Sequence, residues 1–253
     1  MGTIVGSIDL AQVVLYAFWI FFAGLIIYLR TEDKREGYPL ESDRGGRAVI
    51  QGFPGAPRPK RFRLPSGRTV FQPDYKADLR PVNAEPIARW PGAPLEPNGD
   101  PMLANVGPGA YVEREDKPEM TSEGRPSIAP MRIESEASVD PNDLDPRGLN
   151  VVAGDGLVAG VVSDIWVDRG EPQIRYLEVA LPSGKHVLAP MVFAKFNSWQ
   201  KIVTIDAIFA AHFDKVPTLR NPDVVTKLEE DKICAYFGAG LLYASPKRTG
   251  DIL

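Results

Sequence analysis

The chain contains few residues whose type and spacing could support catalysis. Residues 154–159 match the G-x-G-x-x-A pattern, which places a dinucleotide phosphate at a helix N-terminus. A second β-like run follows this motif where a helix would be needed, so we interpret the motif as a hairpin turn. Residues 198–201 match S-x-x-K, but they lie in another predicted turn, and the companion S-D-N and K-T-G motifs are missing. Neither segment predicts a catalytic site.

Thiol, imidazole and metal chemistry has little support either. Cys234 is the single cysteine, which excludes an internal disulfide and any Cys-rich zinc or iron–sulfur site. We predict that it is a small buried side chain within a helix. The two histidines, His186 and His212, lie on a predicted strand and a predicted helix, and we interpret both as structural. Because the sequence has no Walker loop, G-x-S-x-G or H-E-x-x-H motif, it predicts a protein that is not itself an enzyme.

Carboxylates are the remaining candidates for chemistry. Four of them fall within fifteen residues and surround an arginine: Asp164, Asp168, Glu171 and Glu178, with Arg175. Clustered carboxylates can exchange protons when burial or a neighbouring charge tunes them. Composition alone favours the simpler interpretation, in which this group is a solvated face of the protein.

These carboxylates lie on predicted β-structure. Alternating apolar residues and turn signals predict three hairpins, over residues 150–168, 174–189 and 192–208. Short strands at about ten-residue spacing indicate a small antiparallel barrel or a sandwich.

Two helical segments are predicted after the hairpins, over residues 206–213 and 223–237. Gly238 and Gly240 follow the second segment, where we expect the helix to stop. The charged run 229–232 within that helix is interpreted as a solvent-exposed surface with local charge pairing.

The N-terminal part of the chain predicts a transmembrane helix. Residues 10–29 contain Gln12 as the only strongly polar side chain, and twenty helical residues span about 30 Å, the thickness of a bilayer core. A cleaved signal peptide would have a basic start, a shorter apolar stretch and small residues at its end. A buried helix of a soluble protein is the other alternative. We predict an uncleaved membrane helix over residues 10–30.

Basic residues beside this helix predict its orientation. Arg30, Lys34 and Arg35 follow the apolar run, and no Lys or Arg precedes it. The positive-inside rule then places residues 1–9 in the periplasm and the chain after Arg30 in the cytoplasm. The single thiol agrees with a reducing compartment.

The remaining chain divides by composition. Positions 36 to 131 contain 16 Pro and 11 Gly, which remove backbone donors and interrupt long helices and central strands. We predict that residues 31–140 lie extended over the surface of a partner that orders them; disorder is the alternative. Residues 141–253 would form the β-domain with its C-terminal helix. The formal net charge of −4 gives no support to a nucleic-acid partner.

Eight short blocks, in chain order behind the single N-terminal span, carry a family resemblance. They are Arg35-Glu-Gly-Tyr-Pro-Leu-Glu41, Asn98-Gly-Asp-Pro-Met102, Val106-Gly-Pro108, Asp145-Pro-Arg-Gly148, Ser163-Asp-Ile-Trp-Val-Asp168, Arg175-Tyr-Leu-Glu-Val179, Glu229-Glu-Asp-Lys-Ile-Cys-Ala-Tyr236 and Gly240-Leu-Leu-Tyr-Ala244. One such block would be weak support, but the ordered set is specific. The sequence resembles the H subunit of the photosynthetic reaction centre of purple bacteria over nearly its whole length.

The resemblance implies a fold, partners and a role. The fold class would be a single N-terminal transmembrane helix plus a mainly-β cytoplasmic domain of the PRC-barrel type, with short C-terminal helices. The chain would cap the L and M subunits in the bacterial inner (intracytoplasmic photosynthetic) membrane, beside light-harvesting antenna polypeptides and membrane lipids. Bacteriochlorophylls, bacteriopheophytins, quinones and the non-haem iron would be held by L and M, and this chain would ligate none of them. It would stabilise the complex, shield the secondary quinone from water and conduct protons to it.

The resemblance also implies which residues carry protons. In the family, an aspartate after the Trp-Val pair and a glutamate three residues later belong to the proton route. Here these residues are Asp168 and Glu171, with Arg175 nearby to tune them. Some members have a surface histidine cluster at the proton entrance, whereas the corresponding segment 119–131 has no histidine here. That segment begins with Glu119, which we include as a proton-transfer candidate.

Two other functions remain open at this point. The alternative is a membrane-anchored adaptor whose PRC-like barrel binds another cytoplasmic partner. An anchored hydrolase or reductase comes third, because the catalytic motifs that it would need are missing.

Overall fold

A computed structural model describes residues 3–5, 8–40, 51–75, 80–90, 92–134, 137–171 and 173–249. The chain divides into two compact units. The first comprises Met1–Arg80 and Ala88–Ala93, and the second comprises Pro81–Ile87 and Pro94–Leu253. The domain limits expected from composition stay a prediction.

The first unit contains a long apolar helix. Strands β1 (Thr3–Val5) and β2 (Ile8–Asp9) precede it, and helix α1 spans Leu10–Asp33. Asp9 caps the helix, since its carboxylate accepts a hydrogen bond from the backbone N–H of Gln12 at 2.8 Å. Helix α1 is long and apolar enough to cross a membrane, and none of its residues is buried within the protein. The predicted N-terminal helix is therefore confirmed, although it ends three residues later than expected.

In its described part, the Pro- and Gly-rich region contains short strands and one 3-10 helix, Gly107–Gly109. In the first unit, β3 (Lys60–Arg63) pairs with β4 (Thr69–Gln72). In the second unit, β5 (Ala84–Pro86) pairs with β6 (Leu95–Pro97). Strand β7 (Ile128–Pro130) is buried and joins the main sheet described next. That a partner orders this region stays a prediction.

The main sheet of the second unit is built from β7 and six further strands. These strands are β8 (Asn150–Ala153), β9 (Val158–Asp168), β10 (Gln173–Ala180), β11 (His186–Pro190), β12 (Ala194–Asn197) and β13 (Ile202–Ile205). The order is β11-β10-β9-β8-β13-β12, and β7 pairs with β9. All three predicted hairpins are present. The sheet is not purely antiparallel, because β13 returns beside β8 in the same direction and forms a parallel pair with it.

Helices cover this sheet and complete the core. A 3-10 helix spans Ala210–Lys215, α2 spans Lys227–Tyr243, and the short α3 spans Pro246–Thr249. Phe237 of α2 stacks on Phe193 with ring centroids 5.7 Å apart. The largest fully buried side chains include Trp166, Tyr236, Phe213, Phe237, Ile165 and Leu177. The two predicted helical segments exist, but each begins about four residues later than expected.

The prediction that Gly238 and Gly240 stop the last helix is wrong, since α2 continues through both to Tyr243. A Cβ atom on Gly240 would lie 2.3 Å from a methyl carbon of Ile208 and 2.5 Å from the carbonyl oxygen of Ala207. Glycine is present at this position because the helix backbone approaches the preceding loop too closely for a side chain.

Two further predictions for α2 need correction. Glu229 and Glu230 are buried rather than parts of a solvated helix face. Glu229 forms a capping box with Thr226 at the start of the helix. Cys234, expected to be buried, is exposed. The periodicity of the charged run shows which residues share a face, but it does not reveal which face packs against the sheet.

Candidate functional site

Three of the four residues predicted to carry protons lie together at the turn between β9 and β10. Asp168 ends β9, Glu171 follows in the turn, and Arg175 lies in β10. The Asp168 carboxylate accepts hydrogen bonds from the backbone N–H groups of Gly170 at 2.9 Å and Glu171 at 3.3 Å. Its second oxygen lies 3.9 Å from Nε of Arg175. This turn therefore fixes one carboxylate between backbone donors and a guanidinium group.

The three side chains differ in their access to solvent. The Asp168 side chain is 16% exposed, whereas that of Arg175 is 42% exposed. Glu171 is exposed, and its carboxylate accepts a hydrogen bond from Gln173 at 3.2 Å. An exposed carboxylate next to a half-buried one can exchange protons with water and offer them to the inner group.

A groove of about 800 Å³ lies beside this turn. Its charged lining residues are Glu123, Arg125, Glu134, Asp168 and Arg169. Segment 119–131 thus forms one wall, and the turn forms the other. Hydrogen bonds from the hydroxyls of Ser122 and Thr121 hold the pKa of Glu123 below its usual range, and the charge of Arg125 on the same wall acts in the same direction.

Arg169 joins the two walls of this groove. Its guanidinium pairs with the carboxylate of Glu134 and donates a hydrogen bond to the carbonyl of Pro126 at 2.6 Å. The backbone of Arg169 donates to the carbonyl of Ser127 at 2.8 Å, and Ser127 in turn donates to the carbonyl of Glu119 at 2.7 Å. Glu119 is exposed, and its side chain does not line the groove. Of the four predicted residues, only Asp168 lines the groove, and Glu119 lies outside the turn that holds the other three.

The sequence did not reveal a partly buried ion cluster. Arg132 lies just after β7, and its guanidinium contacts Asp164 at 3.1 Å, Glu178 at 2.7 Å and Asp223 at 2.8 Å. Asp164 and Glu178 are buried, so the interpretation of these two acids as a solvated face is wrong. A carboxylate can be buried in this way when an opposite charge and hydrogen bonds compensate for the lost water.

Glu178 receives three more polar contacts within this cluster, one of them from the hydroxyl of Ser163 at 3.3 Å. The indole N–H of Trp166 donates to it at 2.9 Å, and Nδ1 of His186 lies 2.7 Å from its other oxygen. Burial by itself raises the pKa of Glu178, but the hydrogen bonds outweigh burial and leave the pKa below its usual range. His186 therefore contacts a buried carboxylate, and Nδ1 of His212 accepts a hydrogen bond from the backbone of Phe209 at 3.2 Å. That both histidines are structural stays a prediction.

Metal binding has no structural support within the described ranges. No group of three or more His, Cys, Asp or Glu residues there is arranged to hold a metal ion. The arrangement at the turn and groove can instead hold, accept and release protons, because it combines exposed and half-buried carboxylates with guanidinium groups in an open cleft.

Comparison with known protein families gives two matches. Residues 2–133, more than half of the chain, match the family model described as photosynthetic reaction centre, H-chain N-terminal region. Residues 143–211 match the PRC-barrel domain, and this range contains strands β8 to β13.

Proposed function

Because the chain belongs to the H-chain family of photosynthetic reaction centres, we propose that it caps the L and M subunits and conducts protons to the secondary quinone they hold. In this role the chain stabilises the complex and has no active site of its own. Bacteriochlorophylls, bacteriopheophytins, quinones and the non-haem iron belong to L and M, and antenna polypeptides and lipids surround the assembly.

The arrangement of Asp168, Glu171 and Arg175 at one turn carries this proposal. A quinone that is reduced twice must take up two protons, and a protein layer over it must supply titratable groups linked by water. Glu171 is exposed to solvent, while Asp168 is mostly buried and lies 3.9 Å from the guanidinium of Arg175.

The groove beside the turn would be the proton entrance. Its outer wall belongs to segment 119–131, which has no histidine in this chain. Glu123 and Arg125 line that wall, while Asp168 lies opposite them. Carboxylates at a wide opening would collect protons from water and raise their local concentration by electrostatic attraction.

The anchoring of the chain follows from its apolar helix. Family membership and helix α1 fit a membrane-anchored protein. The proposed orientation has the N-terminus in the periplasm and the PRC barrel in the cytoplasm. Arg30 and Arg35 at the inner end are paired with Asp33 and Glu32, and Lys34 donates a hydrogen bond to the carbonyl of Gln51 at 2.9 Å. The positive-inside rule counts the basic residues and gives acids little weight, so these pairs leave the orientation unchanged.

Flash kinetics of the assembled reaction centre would test the proton route. Glu171→Gln keeps the size of the side chain but removes its titratable proton, and Asp168→Asn does the same at the inner position. We expect each change to slow the second electron transfer to the quinone severalfold, because that step is coupled to protonation. The first charge separation should be unchanged, because it needs no proton.

The double variant and a matched control complete this test. The two effects should be non-additive if both residues serve one route. Asp145→Asn is the control, because Asp145 is an exposed acid that pairs with Arg147 and does not line the groove. An unchanged second transfer from about pH 6 to 9 in the double variant would contradict the proposal.

A further inference from the structure

A buried carboxyl group lies on the first turn of α2, outside the turn and groove described above. Glu230 is only 8% exposed. The hydroxyl of Tyr176, in β10, donates a hydrogen bond to its carboxyl oxygen at 2.8 Å. Among the contacts of the described residues, no arginine or lysine pairs with Glu230 within ion-pair distance. It is therefore buried differently from Glu178, which has a guanidinium partner.

Three elements surround Glu230 and place charged groups around it. Strand β10 contributes Tyr176 and Arg175, α2 contributes Cys234, and the segment before β7 contributes Arg114 and Glu119. That segment is held along α2 by an ion pair of 3.4 Å between Arg114 and Asp231 and by a hydrogen bond from the backbone of Lys227 to the carbonyl of Lys117 at 3.0 Å.

These surroundings favour the protonated form of Glu230. Burial raises the pKa of its carboxyl group, and the negative charge of Glu119 adds to this effect. The hydrogen bond from Tyr176 and the charges of Arg175 and Arg114 lower this pKa, but by less than burial raises it. Burial also raises the pKa of the Tyr176 hydroxyl, so Tyr176 keeps its proton and serves as a fixed hydrogen-bond donor.

We propose that Glu230 holds a proton and relays it between Glu119 and the Arg175–Asp168 pair. Glu230 thereby connects Glu119, the one predicted proton-transfer residue outside the turn, to the other three. This role rests on the proton route proposed above. The carboxyl O–H of Glu230 releases its proton to water on the side of the turn, and the carboxylate left behind regains one from the side of Glu119. No electron moves, and the chain returns to its starting state.

The direct test compares reaction centres that carry Glu230→Gln with the unchanged complex. The glutamine oxygen can still accept the hydrogen bond from Tyr176, so the fold should be retained. We expect loss of one protonated-carboxyl C=O band from the infrared spectrum at neutral pH. We also expect the second electron transfer to slow about tenfold. This is less than the ~100-fold effect of removing a lone acid catalyst, because Glu119 and Asp168 are still present to carry protons.

Two further variants make the assignment specific. Tyr176→Phe removes the hydrogen bond and should shift the same infrared band to higher frequency. Glu115→Gln is the control, because Glu115 belongs to the same segment but its side chain is 72% exposed and lies 3.9 Å from Lys227. It should change neither the band nor the rate.

The possible results separate this inference from the proposed function. If Glu171→Gln and Asp168→Asn slow the second transfer but Glu230→Gln does not, the route stands and Glu230 has no part in it. If none of the three changes slows the transfer, the proposed route itself is wrong. Persistence of the infrared band in Glu230→Gln would overturn the assignment of the buried proton, whatever the rates show.

Discussion

At the scale of single residues, the carboxylates of this barrel fall into two groups with opposite behaviour. Glu178 is buried with a guanidinium and three further hydrogen-bonding partners, and its pKa is held below the usual range. Glu230 is buried with a neutral hydroxyl as its hydrogen-bond partner, and its pKa is raised. The first arrangement stabilises a fixed charge, whereas the second favours the protonated form. Only the second arrangement suits a relay.

The ionised state of Glu178 should make the barrel sensitive to acid. The pKa of Glu178 is lower in the folded chain than in the unfolded chain. Its contribution to stability is therefore fully present above the unfolded pKa of about 4.3. This contribution is lost as the pH falls through the folded pKa. We expect Glu178→Gln to lower the free energy of unfolding by about 2 kcal/mol near neutral pH, because Arg132 loses a buried charged partner. The difference from the unchanged chain should shrink as the pH falls below about 4.

Thermal unfolding of both full-length chains in detergent, followed from neutral to acidic pH, would measure this. A difference in stability that stayed constant over that range would show that Glu178 is not ionised in the folded chain.

The sequence could place Asp168, Glu171 and Arg175 together because they fall within eight consecutive residues, and the family resemblance singled them out. It could not reveal the cluster around Arg132, because that arginine comes from the Pro- and Gly-rich region and meets Asp164 and Glu178 only through the fold. The burial of Glu230 was missed for a related reason. The segment that covers it is held by the contact between Arg114 and Asp231, which are 117 residues apart in the chain.

At the scale of secondary-structure elements, close packing explains where prediction failed. The hairpins were predictable because alternation and turn residues are local signals. The end of α2 was not predictable. Glycine is required at position 240 because the loop at Ala207 and Ile208 lies too close for a side chain, and this contact exists only in the tertiary structure.

Replacing the two glycines of α2 should separate packing from helix propensity. Gly240→Ala introduces a methyl group 2.3 Å from Ile208 and should cost about 2 kcal/mol of unfolding free energy, despite the gain in helix propensity. Gly238→Ala is the matched control. The nearest atom to its new methyl group is the carbonyl oxygen of Pro108 at 3.1 Å, so strain and propensity should cancel to within about 1 kcal/mol.

Denaturant unfolding of the two variants would measure this difference. Equal stabilities would mean that the glycine at position 240 is not required by the close approach of helix and loop.

At the scale of the whole molecule, the proposed route requires a defined orientation in the membrane. The basic residues after the apolar helix favour a periplasmic N-terminus. In inside-out vesicles containing the chain alone, added protease should therefore degrade the chain after about Arg30. Protection of the C-terminal part under these conditions would reverse the orientation and exclude a cytoplasmic proton entrance.

The absorption spectrum of the complex that this chain forms in its native membrane would show directly whether the chain is a reaction-centre subunit. The chain would be purified with an affinity tag in mild detergent. We expect it to bring two larger chains with several membrane spans, together with the absorption bands of bacteriochlorophyll and bacteriopheophytin. A colourless complex with a different partner would contradict a reaction-centre subunit and would favour a membrane-anchored adaptor instead.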